Sequence, residues 1–120
     1  MSGFPDVTEN AAFEAAIGGA RPVIVKFQSE ACVICRKVEP MLAATARRFN
    51  GALSVFDADA EKNFELATLY NVRGFPTLIL FKKGEEIDRR TGFQTASMLR
   101  DWVSPHLGNG NLSLLKPPLP

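Results

Sequence analysis

The stretch Pro22-Val23-Ile24-Val25-Lys26-Phe27-Gln28-Ser29-Glu30-Ala31-Cys32-Val33-Ile34-Cys35-Arg36-Lys37-Val38-Glu39-Pro40-Met41-Leu42 changes its hydrophobic period partway along. Val23 to Val25, continuing to Phe27, make a β-branched run bounded by Pro22 and Ser29, which predicts a short buried strand. From there the period lengthens, and Ile34, Val38, Met41, Leu42, Thr45 and Phe49 recur at helical intervals. Cys32 therefore falls where a strand hands over to the N-terminus of a helix, and Pro40 is expected to kink that helix.

The chain has two cysteines, Cys32 and Cys35. Two residues between them suit a reversible disulfide, half a zinc site, or two inert core thiols. Structural zinc usually takes four ligands, and the single His106 is the other soft ligand, so a zinc site within one chain is set aside. Two chains sharing a metal through their thiolates is a remote alternative. Disulfide exchange needs an exposed, partly ionised thiol and a second thiol close enough to resolve the mixed disulfide. C-x-x-C at a helix start meets both needs, because free amides and the helix dipole there stabilise a thiolate. Cys32 would attack a substrate disulfide, and Cys35 would then attack the mixed disulfide and release the substrate reduced.

Further out, Asp6 and Glu9 ahead of Phe13 and Ile17 resemble a capping box that starts a helix, which Gly18-Gly19 ends. Gly51 stops the cysteine-bearing helix, and Leu53 to Phe56 predict a second strand. A short helix is expected between Asp59 and Tyr70, with Leu66, Leu69 and Tyr70 on one face. Thr77 to Phe81 and Glu86 to Thr91 predict a hairpin across Lys82-Lys83-Gly84-Glu85. Thr95 is placed to cap a last helix whose stripe is Met98, Leu99, Trp102, Val103 and Leu107. The order is α, β, α, β, α, β, β, α. The tail from Gly108 to Pro120 has its own composition, with four leucines and Pro117 and Pro120 at PxxP spacing, a weak docking signal.

At 120 residues, 46% hydrophobic and 22% charged, the chain fits one globular domain and not a disordered, collagen-like or coiled-coil sequence. A formal charge of +1 gives no electrostatic reason to expect a nucleic-acid partner. No apolar run reaches the roughly 18 residues of a membrane span, and Met1 to Asp6 lack signal-peptide features. A cytoplasmic location without a membrane partner is expected.

Several blocks in order make the chain similar to the thioredoxin family: Val23 to Phe27 before the motif, Cys32 to Cys35, Pro40, Val72-Arg73-Gly74-Phe75-Pro76-Thr77, Phe81-Lys82-Lys83-Gly84-Glu85, and Gly92. The resemblance spans about residues 4 to 107. It implies an α/β thioredoxin fold, a central mixed sheet of four to five strands flanked by four helices. Residues 1–107 would form that domain and residues 108–120 a Pro/Leu-rich tail. It also implies a cis Phe75-Pro76 bond beside the cysteines, which frees neighbouring backbone to pair with an extended substrate and keeps metal from the thiols.

Three departures qualify the resemblance. Val33-Ile34 stand between the cysteines where thioredoxins usually carry Gly-Pro. Neither side chain can hydrogen-bond a thiolate, and a reducing or intermediate couple is expected. Ala31 and Gln28 replace the aromatic residues usual before the first cysteine. Lys26 stands where the family has a buried Asp, and Asp57 where it has the facing Lys. An ion pair between them would offset the cost of burying a lone lysine, the alternative being Lys26 snorkelling to an edge. Asp57 is then expected to act as proton shuttle for Cys35, held ionised by Lys26.

The expected activity is a thiol-disulfide oxidoreductase reducing or exchanging protein disulfides through Cys32 and Cys35. It needs no organic cofactor or metal, acts as a monomer, and draws electrons from a reductase or another dithiol. Val33, Ile34, Arg73, Phe75, Pro76 and Gly92 are candidates for the substrate surface. The rival from another class is a binding or chaperone-like adaptor on the same fold, with redox-sensing or vestigial cysteines.

Overall fold

A computed structural model describes residues 3–107. The elements run α1 (Asn10–Ile17), β1 (Val23–Gln28), α2 (Val33–Phe49), β2 (Ser54–Asp59), α3 (Phe64–Leu69), β3 (Thr77–Lys82), β4 (Glu85–Thr91) and α4 (Ala96–Val103), followed by a short 3-10 turn, Ser104–His106. The expected order holds throughout; the tail 108–120 lies outside the described residues.

The strands form one mixed sheet in the order β2-β1-β3-β4. β1 runs parallel to β2 and antiparallel to β3, and β3 is antiparallel to β4. Alternation along β1 sends Val23, Val25 and Phe27 into a core shared with Phe13 of α1 and Leu66 of α3. Ile24 points the other way, into a core with Val38 and Leu42 of α2 and Leu99, Trp102 and Val103 of α4. Lys26, two residues on from Ile24, lies on that same α2 face.

Local chemistry accounts for most element ends. Thr95 caps α4 by accepting a hydrogen bond from the Met98 amide. Lys83 and Gly84, both in the left-handed region, close the β3–β4 hairpin in two residues, the geometry that matches strand twist. α2 continues through Pro40 and ends at left-handed Asn50, one residue before Gly51.

The structure departs from the sequence reading in several places. Asp6 and Glu9 form no capping box: Glu9 stands at the N-cap of α1 without a side-chain bond. Asp6 instead bridges to Asp57. The Val7 amide donates to the Asp57 carbonyl (2.8 Å) and the Asp57 amide to that of Pro5 (2.9 Å). This short segment covers the free edge of β2, whose unpaired backbone groups are the stronger demand. Leu69 and Met98, assigned to apolar stripes, are exposed, as is Ile34, because Cys35 takes the inward place in the first turn of α2.

Candidate active site

Cys32 is the N-cap of α2, with extended backbone, and its Sγ accepts a hydrogen bond from the Cys35 amide at 3.0 Å. The two cysteines are joined as a disulfide, with Cα atoms 5.3 Å apart. Their environments differ. Cys32 is partly exposed, whereas Cys35 is 1% exposed, so an incoming sulfur can reach the first cysteine and not the second.

Val33 and Ile34 lie open to solvent beside the pair, Val33 being 53% exposed. The Phe75–Pro76 peptide is cis. Thr77 faces Phe27 across the β1–β3 ladder, which places Pro76 alongside the start of the loop leading from Gln28 to Cys32. The Gly92 amide donates to the Pro76 carbonyl at 2.9 Å, and Gly92 has φ of +90°, a conformation that suits glycine. Phe75 and Phe93, the residues that flank this bonded pair in sequence, are both exposed. Phe93 escaped the sequence reading, although an aromatic directly after a loop glycine was the available signal. Arg73 is turned aside, its Nε donating to Asn71 Oδ1 at 2.9 Å. Trp102 is core, as expected, with Nε1 donating to Asp88.

On the inner side of the disulfide lies a cleft of about 520 Å³, whose lining includes Cys32, Cys35, Glu39 and Asp57. Lys26 and Asp57 are register partners on adjacent parallel strands, which brings them together here. Lys26 is 0% exposed, so it does not snorkel. Its Nζ stands 3.3 Å from Asp57 Oδ1, yet the shorter contact, 2.7 Å, is to Glu39 Oε2, which the sequence reading missed. Glu39 follows Cys35 by one helical turn, and that spacing was the signal available. Nζ also donates to the Cys35 carbonyl at 3.4 Å and sits 5.8 Å from the centre of the Phe4 ring.

Neither Asp57 side-chain oxygen accepts a hydrogen bond among the described residues. Burial pushes the Asp57 carboxyl up to about 6; the charge of Lys26 and, more weakly, its poorly aligned side-chain contact at 3.3 Å pull it down, while the negative charges of Glu39 and Asp6 add to the rise. Burial thus outweighs Lys26 in setting the proton affinity of Asp57, while the lysine still favours its ionised form. Among the described residues no cluster of His, Cys, Asp and Glu is arranged to hold a metal ion. No described helix is long and apolar enough to cross a membrane.

The thioredoxin family model matches residues 5–105. Thioredoxin 1 of Nostoc sp. is 29% identical over 107 residues, covering 89% of this chain and 100% of its own length. The thioredoxin of Staphylococcus epidermidis is 33% identical over 84 residues, 70% of this chain and 81% of its own length. Among solved structures, a mutant thioredoxin from Halobacterium salinarum superposes with a TM-score of 0.79 at 27% identity, covering 87% of this chain and 90% of its own. Fasciola hepatica thioredoxin gives 0.77 at 28% identity, covering 86% and 99%. A mixed sheet with four helices, a C-x-x-C disulfide at a helix N-terminus and a family match over most of the chain lead to one conclusion: the chain belongs to the thioredoxin family and is a thiol-disulfide oxidoreductase.

Proposed function

We propose that the protein reduces protein disulfides with Cys32 as nucleophile and Cys35 as resolving thiol. The observation that carries this is the asymmetry of the pair, one sulfur reachable at a helix N-cap and the other buried behind it. In the reduced protein the Cys35 amide and the end of the helix dipole favour a thiolate on Cys32. That thiolate attacks a substrate disulfide, forming a mixed disulfide and expelling one substrate thiolate. Cys35 then loses its proton to Asp57, attacks Cys32 Sγ and expels the second substrate sulfur, which takes up the proton. Two electrons pass from the dithiol to the substrate, and the Cys32–Cys35 disulfide remains.

Val33, Ile34, Phe75 and Phe93 give the approaching chain an apolar lip in place of the missing aromatics at 28 and 31, with the backbone of Phe75, ahead of the cis bond, offered for strand pairing. Arg73 lies at the margin of that surface. The reaction needs no organic cofactor or metal; a reductase or a second dithiol returns the electrons. A monomer in the cytoplasm, acting on neither membrane nor nucleic acid, fits this reading.

The test is capture. Cys35→Ser should accumulate mixed disulfides on Cys32 that dithiothreitol releases, and the wild type should reduce insulin with dithiothreitol as donor. Pull-down of one partner at equal yield from a variant lacking both cysteines, with no insulin reduction by the wild type, would instead mark an adaptor.

A further inference from the structure

Lys26 is the buried cation of the site, and two carboxylates compete for it. Glu39, from α2, receives its hydrogen bond at 2.7 Å. Asp57, from β2, lies 3.3 Å away without the alignment of a hydrogen bond, and both of its oxygens are left without a protein donor among the described residues. The carboxylate bound to the lysine is the more exposed of the two, at 21% against 2% for the side chains. Burial alone would favour the opposite arrangement, because the deeper charge has more to gain from a partner.

We propose that Glu39 is a positioning residue for disulfide exchange, which takes the hydrogen bond of Lys26 for itself and so leaves the Asp57 carboxylate open to receive the proton of Cys35. The proposal rests on the shuttle role given to Asp57 above. Were Lys26 to donate to Asp57, that carboxylate would be held ionised and would be a poor proton acceptor near neutral pH. With its short bond turned to Glu39 at 2.7 Å, Lys26 leaves Asp57 an attractive charge and a longer, poorly aligned contact at 3.3 Å, which costs less to give up when Asp57 is protonated. Burial dominates the Asp57 carboxyl and raises it to about 6, against the charge of Lys26 and its side-chain contact at 3.3 Å. The charged groups facing Asp57 are Lys26 from β1, Glu39 from α2 and Asp6 from the edge segment; Glu30, Arg36, Asp59 and Lys62 line the same cleft further out. Asp59 is engaged elsewhere, its Oδ1 accepting from the amides of Glu61 and Lys62.

Two readouts test this on the full chain. One is the titration midpoint of the Asp57 carboxyl carbon, followed by NMR in the oxidised protein. The other is the single-turnover decay of the mixed disulfide formed between the prereduced protein and a fluorescent peptide disulfide. Glu39→Gln should lower the midpoint by about one pH unit, because one negative neighbour is lost and Lys26 turns to Asp57, and should slow resolution about threefold near pH 7. Glu39→Asp keeps the charge but shortens the reach to Lys26. It should move both readouts the same way by less, and it carries the test if Glu39→Gln does not melt as a folded protein. Midpoint and rate both unchanged in these variants, while Asp57→Asn still slows resolution, would overturn the role of Glu39 and leave the Asp57 shuttle standing. Wild-type resolution in Asp57→Asn would overturn the shuttle itself.

Discussion

Asp57 and Asp88 stand on the two edge strands of one sheet, each close to a basic side chain, and their carboxyls shift in opposite directions. Asp57, on β2, is buried, lies 3.3 Å from Lys26 and accepts no hydrogen bond from the described residues. Asp88, on β4, is half-exposed and well bonded. Its carboxylate accepts from Trp102 Nε1 (2.9 Å), the Arg89 amide (2.8 Å) and Arg90 Nη1 (2.7 Å), and these donors, Trp102 foremost, hold it below its ordinary value. A neighbouring cation does not by itself decide a carboxylate's protonation; desolvation and hydrogen bonds to the ionised form do. The satisfied aspartate ties α4 to the sheet edge, whereas the unsatisfied one keeps an affinity for a proton beside the disulfide.

The harshest way to break the contrast is Lys26→Met. Glu39 and Asp57 would then share a buried region with no lysine between them, and loss of one partner from a buried ionic cluster costs about 3–5 kcal/mol. Denaturant unfolding of the oxidised protein at pH 7 should show a loss of that size. At pH 5, where Asp57 is largely protonated, the loss should be smaller; an equal loss at both pH values would assign the cost to packing.

Asp57→Asn should act in the opposite sense. The folded carboxyl sits near 6 against an ordinary 3.8, so the folded state binds the proton more tightly than the unfolded chain. Stability from this group is therefore greatest below about pH 4 and declines as pH rises through 6. An asparagine mimics the protonated form and should raise stability at pH 7 by up to about 3 kcal/mol, at roughly 1.4 kcal/mol per pH unit of difference. The gain should fade as pH falls towards 4, while mixed-disulfide resolution slows by about tenfold or more at neutral pH. A destabilised variant at pH 7 would mean that Lys26 depends on this charge despite Glu39.

The contrast was only half legible in the sequence. The change of period between Val25 and Ile34 located Cys32 at the strand-to-helix handover, and the Lys83-Gly84 pair marked the hairpin, because both signals are local. Lys26 and Asp57 were paired through resemblance, and the parallel register bears out their proximity. Glu39 was missed because a glutamate in a helix reads as a solvated residue. What makes it otherwise is that Glu39 lines the cleft with Cys35 and Asp57 and meets Lys26 of β1 there, a tertiary fact. Asp6 failed for the same reason: its spacing from Glu9 fits a capping box, but the open edge of β2 claims that segment first. Leu69 and Met98 show that a helical period identifies a face without telling how far the sheet beneath it extends.

The smallest expected effect sharpens the comparison most, since it asks whether the bonded aspartate is free of chemistry. Asp88→Asn keeps an acceptor for Trp102 but removes the charge that Arg90 and the Arg89 amide see. Asp88 is held low in the folded state, so its stabilisation is present above the ordinary value of 3.8 and lost as pH falls through the folded value, the reverse of Asp57. Because the pair with Arg90 is about two-fifths exposed on both sides, solvent screens most of the attraction. The variant should therefore lose no more than about 1 kcal/mol at pH 7, and less at pH 3. Insulin reduction should keep its wild-type rate and pH profile. A shifted profile would show that β4 communicates with the cysteine end of the sheet, and the division between a structural and a chemical aspartate would fail.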